Sequence, residues 1–207
     1  MTLKIGLTGN IGSGKTMVSA IFPVLGIPVY HADEASKSFL DDPAVKNEIV
    51  KYFGYGVLTN DHEINRRSLA SIVFTDKQSL TKLNSILHPR VKQDFRNWVE
   101  LHAGKNYVIQ EAAIIFESGF SNEYDYIIHV SCPKEIAIAR VVTRDNIDPN
   151  SVLRRMQFQL EDSEKARLSD FVIHNDGSEL VIPQVLVIHQ HLLSLNPKHS
   201  DEATLPQ

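Results

Sequence analysis

The residues Gly9-Asn10-Ile11-Gly12-Ser13-Gly14-Lys15-Thr16 fit the pattern G-x-x-x-x-G-K-[ST] in full. Gly9, Gly12 and Gly14 allow positive φ and let the backbone approach a phosphate chain closely. Successive N–H groups from Asn10 to Thr16 then form an anion-binding nest opening onto a helix N-terminus, whose dipole favours negative charge. Lys15 can bridge β- and γ-phosphates as a point charge, the Thr16 hydroxyl can ligate Mg²⁺ carried by the nucleotide, and Met17 would add its N–H to the same turn. The β-run Lys4–Thr8 before the motif and the amphipathic stretch with Val18, Ile21, Phe22 and Leu25 after it give the context that a chance glycine-rich turn lacks. The chemistry is that of a nucleoside triphosphate site.

Phosphoryl transfer to a hydroxyl needs a proton acceptor, and Asp33 is the candidate. It follows the strand-like Ile27–His31 at the sheet edge where open α/β folds bind ligands, placed for general-base work or for orienting the attacking hydroxyl. An N-cap for the helix that follows is the competing and compatible role. Arg140 and Arg144 lie four apart on the helix expected over Pro133–Arg144 and so share a face. Arg154 and Arg155 follow a turn-like Asp148-Pro149-Asn150. A flap carrying such arginines reads as a lid that excludes water from the phosphates, although surface arginines are commonly only solvated or ion-paired.

The elements that must hold these groups alternate. Leu3–Thr8, Ile27–His31, Tyr107–Ile109 leading towards Ala112–Phe116, Tyr126–Val130 and Phe171–His174 read as strands, and continuous apolar runs of this kind suit a parallel sheet covered on both faces. The expected fold is α/β, a five-stranded parallel sheet flanked by helices. Residues 1–33 and 105–196 form its nucleotide-binding core, with a lid at roughly 140–165. Residues 34–104 are too many for one crossover and read as a helical insertion, with helices near Ala44–Phe53, Arg67–Phe74, Ser79–Leu87 and Pro89–His102. Pro89 suits the first turn of the last of these. The insertion either holds a substrate or merely covers the sheet edge. Residues 197–207 lack periodicity and read as a flexible tail.

Composition narrows the classes. The formal net charge is −4 with 43% hydrophobic residues, so the chain is globular and lacks the basic excess of a nucleic-acid binder. A single cysteine, Cys132, excludes an intrachain disulfide, and the nine histidines are scattered without zinc spacing. No signal peptide or membrane-length apolar run occurs, so a cytoplasmic protein is expected, with no membrane or nucleic-acid partner and no evident obligate protein partner. Neither Asp-x-x-Gly nor Asn-Lys-x-Asp is present, which counts against a regulatory GTPase. A small phosphotransferase remains.

The ordered set of motifs is more specific than the glycine-rich loop. After Ile5–Thr16 come Leu25-Gly26, Ala32-Asp33, Phe53-Gly54, Arg66-x-x-Leu69 with Val73-Phe74, Leu83-Asn84 with His88-Pro89, Ile115-Phe116-Glu117, Arg155-x-x-x-Gln159 and Asp170-x-Val172-Ile173-x-Asn175-x-Gly177. In this order they resemble the dephospho-coenzyme A kinase family over roughly residues 3 to 190. The resemblance implies transfer of the γ-phosphoryl of ATP, with Mg²⁺, to the 3′-hydroxyl of dephospho-coenzyme A, the last step of coenzyme A biosynthesis. It implies a helical substrate domain and a lid, puts Asp33 on the catalytic aspartate and Arg140 and Arg144 in the lid, and matches Arg66 and His88 to substrate-domain motifs. The chain departs from the family pattern at His31, commonly Asp, at Thr16-Met17, commonly Ser-Thr, and at Glu111, commonly Asp. Another small-molecule or nucleoside monophosphate kinase, or a nucleotide-dependent switch protein, are the other readings.

Overall fold

The computed structural model describes residues 2–195 of the 207-residue chain; the segment 197–207 lies outside them. One sheet holds β1 (Leu3–Thr8), β2 (Val29–His31), β3 (Tyr107–Glu111), β4 (Tyr126–Ser131) and β5 (Phe171–His174). Its order is β2-β3-β1-β4-β5, and every pairing is parallel. All strands therefore end on the same rim. β1 is the central strand, buried at every position but the half-buried Lys4. β2 begins two residues later than the apolar run, because the Ile27 N–H closes the Gly26 turn on the Phe22 carbonyl.

Apolar side chains pack on both faces. Under α1 (Lys15–Ser19), α2 (Ile21–Val24) and α10 (Val181–Leu193) lie Ile5, Leu7, Ile109 and Ile128, which cluster with Phe22 of α2 and Leu192 of α10. The opposite face carries Tyr30, Val108, Ile115 and Ile127 under α3 (Ala32–Phe39) and the second half of α6 (Lys77–Leu101). A full side chain of this kind contributes ~1.5–3 kcal/mol by leaving water. A third cluster is separate. Val45, Ile49, Leu69, Val73, Ile86 and Leu87 join α4 (Pro43–Phe53), α5 (Arg66–Val73) and the first half of α6.

Two expectations are corrected. Pro89 does not begin a helix but sits inside α6, one continuous helix of 25 residues. The missing Pro89 N–H leaves the Ser85 carbonyl without its i+4 donor. One carbonyl further on, Ile86 O accepts from Arg90 Nη1 at 2.6 Å. Tertiary packing carries the helix through: Ile86 and Leu87 belong to the insertion core, Val91 and Phe95 to the sheet face. The apolar run Ala112–Phe116 does not extend β3. The Ala112 N–H makes the last ladder bond, to Leu7 O. The Ala113 carbonyl then turns inward and accepts from Lys165 Nζ at 2.9 Å, so the chain leaves the sheet.

Candidate active site

The glycine-rich loop joins β1 to α1 at the strand rim. Gly12 and Gly14 have φ of 82° and 94°. A Cβ on Gly12 would strike the Ala137 carbonyl, and one on Gly14 would strike the Asn175 amide. Gly9 differs from the expectation: its φ is not positive, and it is needed for space, since a Cβ there would lie 2.7 Å from Val130 O. Asn175, just after β5, donates its side-chain N–H to Ser13 O at 2.7 Å and pins the loop from below. The amides of Gly12, Gly14, Lys15 and Thr16 find no acceptor among the described residues, as an anion nest requires. Three expected amides are already engaged, the first being Ser13 N–H, which donates to Asn10 O at 3.0 Å. Met17 N–H donates to Gly14 O, because the first turn of α1 closes early, and Ile11 N–H donates to Gln159 Oε1 at 3.0 Å. The Asn10 side chain donates to Leu160 O at 3.1 Å.

Four charged or titratable groups gather beside the loop. Lys15 Nζ stands 3.4 Å from Glu111 Oε1, and His31 Nδ1 stands 2.9 Å from Glu111 Oε2. Asp33 lies in the first turn of α3; the N-cap position is His31, and no side chain caps that end. Asp33 is exposed where it borders the cleft, with the protein packed close behind it. Such a group touches water yet is poorly solvated by it. Burial accordingly pushes the Asp33 carboxyl above its ordinary value; Lys15 opposes this, Glu111 adds to it, and Lys37 and His31 oppose it.

The arginines separate. α7 (Lys134–Asp145) carries both Arg140 and Arg144. Arg140 Nη1 donates to Cys132 Sγ at 3.4 Å beside Gly14. Arg144 is 65% exposed and paired with Asp145 at 2.7 Å, yet still lines the cleft. The shared face thus serves two places. Arg66, on α5, pairs with Asp41 at 3.0 Å and reaches the Lys37 carbonyl at 3.2 Å. His88 packs edge-on against Phe120, and burial lowers its imidazole below the usual range. Lys15, Thr16, Asp33, Arg66, His88, Arg144 and Arg155 all border one cleft of about 1560 Å³ between the strand rim and the insertion. A single small-ligand pocket is usually about 300–1,000 Å³, and this cleft is larger.

A buried network supports the cleft floor. α8 (Pro149–Met156) leads to Arg155, whose guanidinium lies 5.6 Å from the Phe74 ring, and on to Phe158, 6.4 Å from the same ring. Gln159 and Leu160 then meet the glycine-rich loop as described above. Leu160 N–H donates to Glu117 Oε1 at 2.9 Å, and that oxygen pairs with the fully buried Lys165 of α9 (Asp162–Leu168) at 2.8 Å. Gln159, Glu117 and Asn175 stood in sequence motifs without a role. Lys165, in an ordinary-looking helix, carried no signal at all. Glu111 and His31 were visible only as departures, since their meeting depends on the β2–β3 register that aligns them.

Among the described residues no group of three or more His, Cys, Asp or Glu is arranged to hold a metal ion. The exposed Thr16 hydroxyl on the cleft suits an ion that arrives already bound by phosphate oxygens. No helix of the described residues is long and apolar enough to cross a membrane.

A parallel sheet of this order with a phosphate-binding loop after its central strand defines a P-loop kinase. Residues 3–180 match the family model described as dephospho-CoA kinase. The chain belongs to the dephospho-CoA kinase family. A dephospho-CoA kinase from Bacteroides fragilis is 40% identical over 187 residues, covering 90% of this chain and 91% of that protein. A solved structure from Thermus thermophilus superposes with a TM-score of 0.79 at 28% identity, covering 94% of this chain and 98% of its own. Dephospho-CoA kinase from Campylobacter jejuni does so with 0.67 at 26%, covering 93% and 98%. The chain is therefore a kinase of coenzyme A biosynthesis.

Proposed function

We propose that the enzyme transfers the γ-phosphoryl group of ATP to the ribose 3′-hydroxyl of dephospho-coenzyme A, releasing ADP and coenzyme A. The observation that carries this reading is Asp33 standing in one charge cluster with Lys15 on the cleft. The acceptor 3′-oxygen attacks the γ-phosphorus, the bond to the β-phosphate oxygen breaks, and the hydroxyl proton passes to the Asp33 carboxylate. Free amides of Gly12, Gly14, Lys15 and Thr16 hold the phosphates, and Lys15 offsets their developing charge. Mg²⁺, held by Thr16 Oγ1 and phosphate oxygens, would supply further neutralisation. Arg140 serves the nucleotide beside Gly14, Arg144 closes from the cleft side, and Arg66 and His88 contact the acceptor. Residues 1–33 and 105–196 act as the nucleotide core, 34–104 as the acceptor-holding insertion, and roughly 140–165 as the lid.

The test is ADP release coupled to a readout, with Mg-ATP present and dephospho-coenzyme A added or omitted. Acceptor-dependent release with a product heavier by one phosphate is expected. Asp33→Asn should lower kcat by about 10²–10⁴-fold while nucleotide binding survives. Release that ignores the acceptor, or an Asp33→Asn variant that keeps most of its kcat, would overturn the reading.

A further inference from the structure

Glu111 is held at both oxygens by partners of different character. The parallel β2–β3 ladder aligns His31 with Glu111, and the β1–β3 ladder aligns Leu7 with it, so the carboxylate rises from the rim between the nucleotide loop and the acceptor side. Its side chain is only 7% exposed. A carboxylate only accepts, so the hydrogen in the 2.9 Å contact belongs to His31 Nδ1. The other contact, to Lys15 at 3.4 Å, is long for a charge-assisted bond. That contact is temporary by function: Lys15 must turn to the nucleotide phosphates when they arrive. Glu111 then keeps His31 as its remaining partner, with the Asp33 carboxyl nearby.

Resting on the assignment of Lys15 to the phosphates and Asp33 as base, we propose that His31 is a positioning residue. It docks the Glu111 carboxylate on the end of β2, which frees Lys15 for the nucleotide and keeps a second carboxylate from swinging toward Asp33. The groups around Asp33 act on it in opposite directions. Glu111 raises its carboxyl and His31 lowers it, while Lys15 and Lys37 are the other charged groups facing it. Lys15 relaxes that carboxyl too, but only until it is drawn to phosphate. The role is passive: His31 holds a neighbour and needs no contact with the reacting atoms.

The experiment uses the full-length enzyme with His31→Ala, His31→Asn, Glu111→Gln and the His31→Ala/Glu111→Gln double variant. The readouts are kcat, KM for each substrate, binding of a fluorescent ATP analogue, and melting temperature. Asn carries an N–H donor close to the place of imidazole Nδ1. The expected result is a kcat loss of about tenfold in His31→Ala, within the range by which residues in contact couple, with KM for the acceptor nearly unchanged and any rise in KM confined to ATP. His31→Asn should restore most of that kcat, and the alanine loss should largely vanish in the Glu111→Gln background. Equal loss in the Ala and Asn variants would overturn the proposal, since it would mean that the imidazole itself is needed. So would an alanine variant with full kcat, or additive losses in the double variant. The melting temperatures separate a misfolded variant from an inactive one. A wild-type enzyme without acceptor-dependent ADP release would instead sink the underlying functional reading, before any variant is compared.

Discussion

Asp33 is pulled in two directions. The first turn of α3 favours its charged form through the helix dipole, whereas burial disfavours it and prevails. A base must be deprotonated to work. Because its folded value lies above the ordinary one, activity should fall as pH drops through a point above the usual aspartate range. The acid limb of kcat/KM against pH measures this directly. An Asp33→Glu variant, whose limb should move with the carboxylate, separates it from titration of the nucleotide. A limb at or below the ordinary aspartate value would remove burial as the controlling effect. At this scale the glycine-rich loop and Asp33 were legible because their chemistry is written in contiguous residues. His31, Glu111 and Gln159 were not, because each meets its partner only through strand register or the return of a distant loop.

Among the elements, α9 is fastened at both ends of its first turn. Asp162 accepts from Ser131 Oγ at 2.5 Å and from His129 Nε2 at 3.0 Å on β4, and Lys165 reaches Glu117 and the Ala113 carbonyl. Burial raises the Asp162 carboxyl, but the bonds from His129 and Ser131 outweigh it and hold it below its ordinary value. The stability this supplies is present above the unfolded value and is lost as pH falls through the folded one. Urea unfolding of wild type and Asp162→Asn should converge at low pH and diverge near neutrality. Glu117→Gln should cost about 3–5 kcal/mol in the same assay, because it leaves the buried Lys165 ammonium unpaired. A Glu117→Gln/Lys165→Met double variant should recover much of the loss. Burial already lowers the Lys165 amine below its usual value, with Glu117 opposing. Helix positions were largely readable from apolar spacing, and Asp42, Asn65 and Asp76 cap α4, α5 and α6 as their sequence neighbours suggest. The continuity of α6 was not readable, since proline is a local stop signal and only packing at both ends overrides it.

Across the whole molecule, the end of α5 and the chain around α8 meet at Phe74, where Arg155 and Phe158 converge. Phe74→Ala should loosen that junction, raising KM for the acceptor more than for ATP; equal changes in both would assign Phe74 to ordinary packing. A parallel sheet was legible from its apolar runs, but its strand order was not, because order records which chain segments pair rather than what any one segment contains. α6 has a further consequence for length variation in the chain. It is a single rod passing from the insertion core to the sheet face, with His88 near the crossing. Each residue advances a helix by about 100° and 1.5 Å. Deleting one residue between His88 and Val91 would leave both halves helical yet turn one of them by over a quarter circle against the other. The insertion can thus drift in side-chain identity, while its phase along this rod is locked to the sheet, and length changes belong in the loops at its ends.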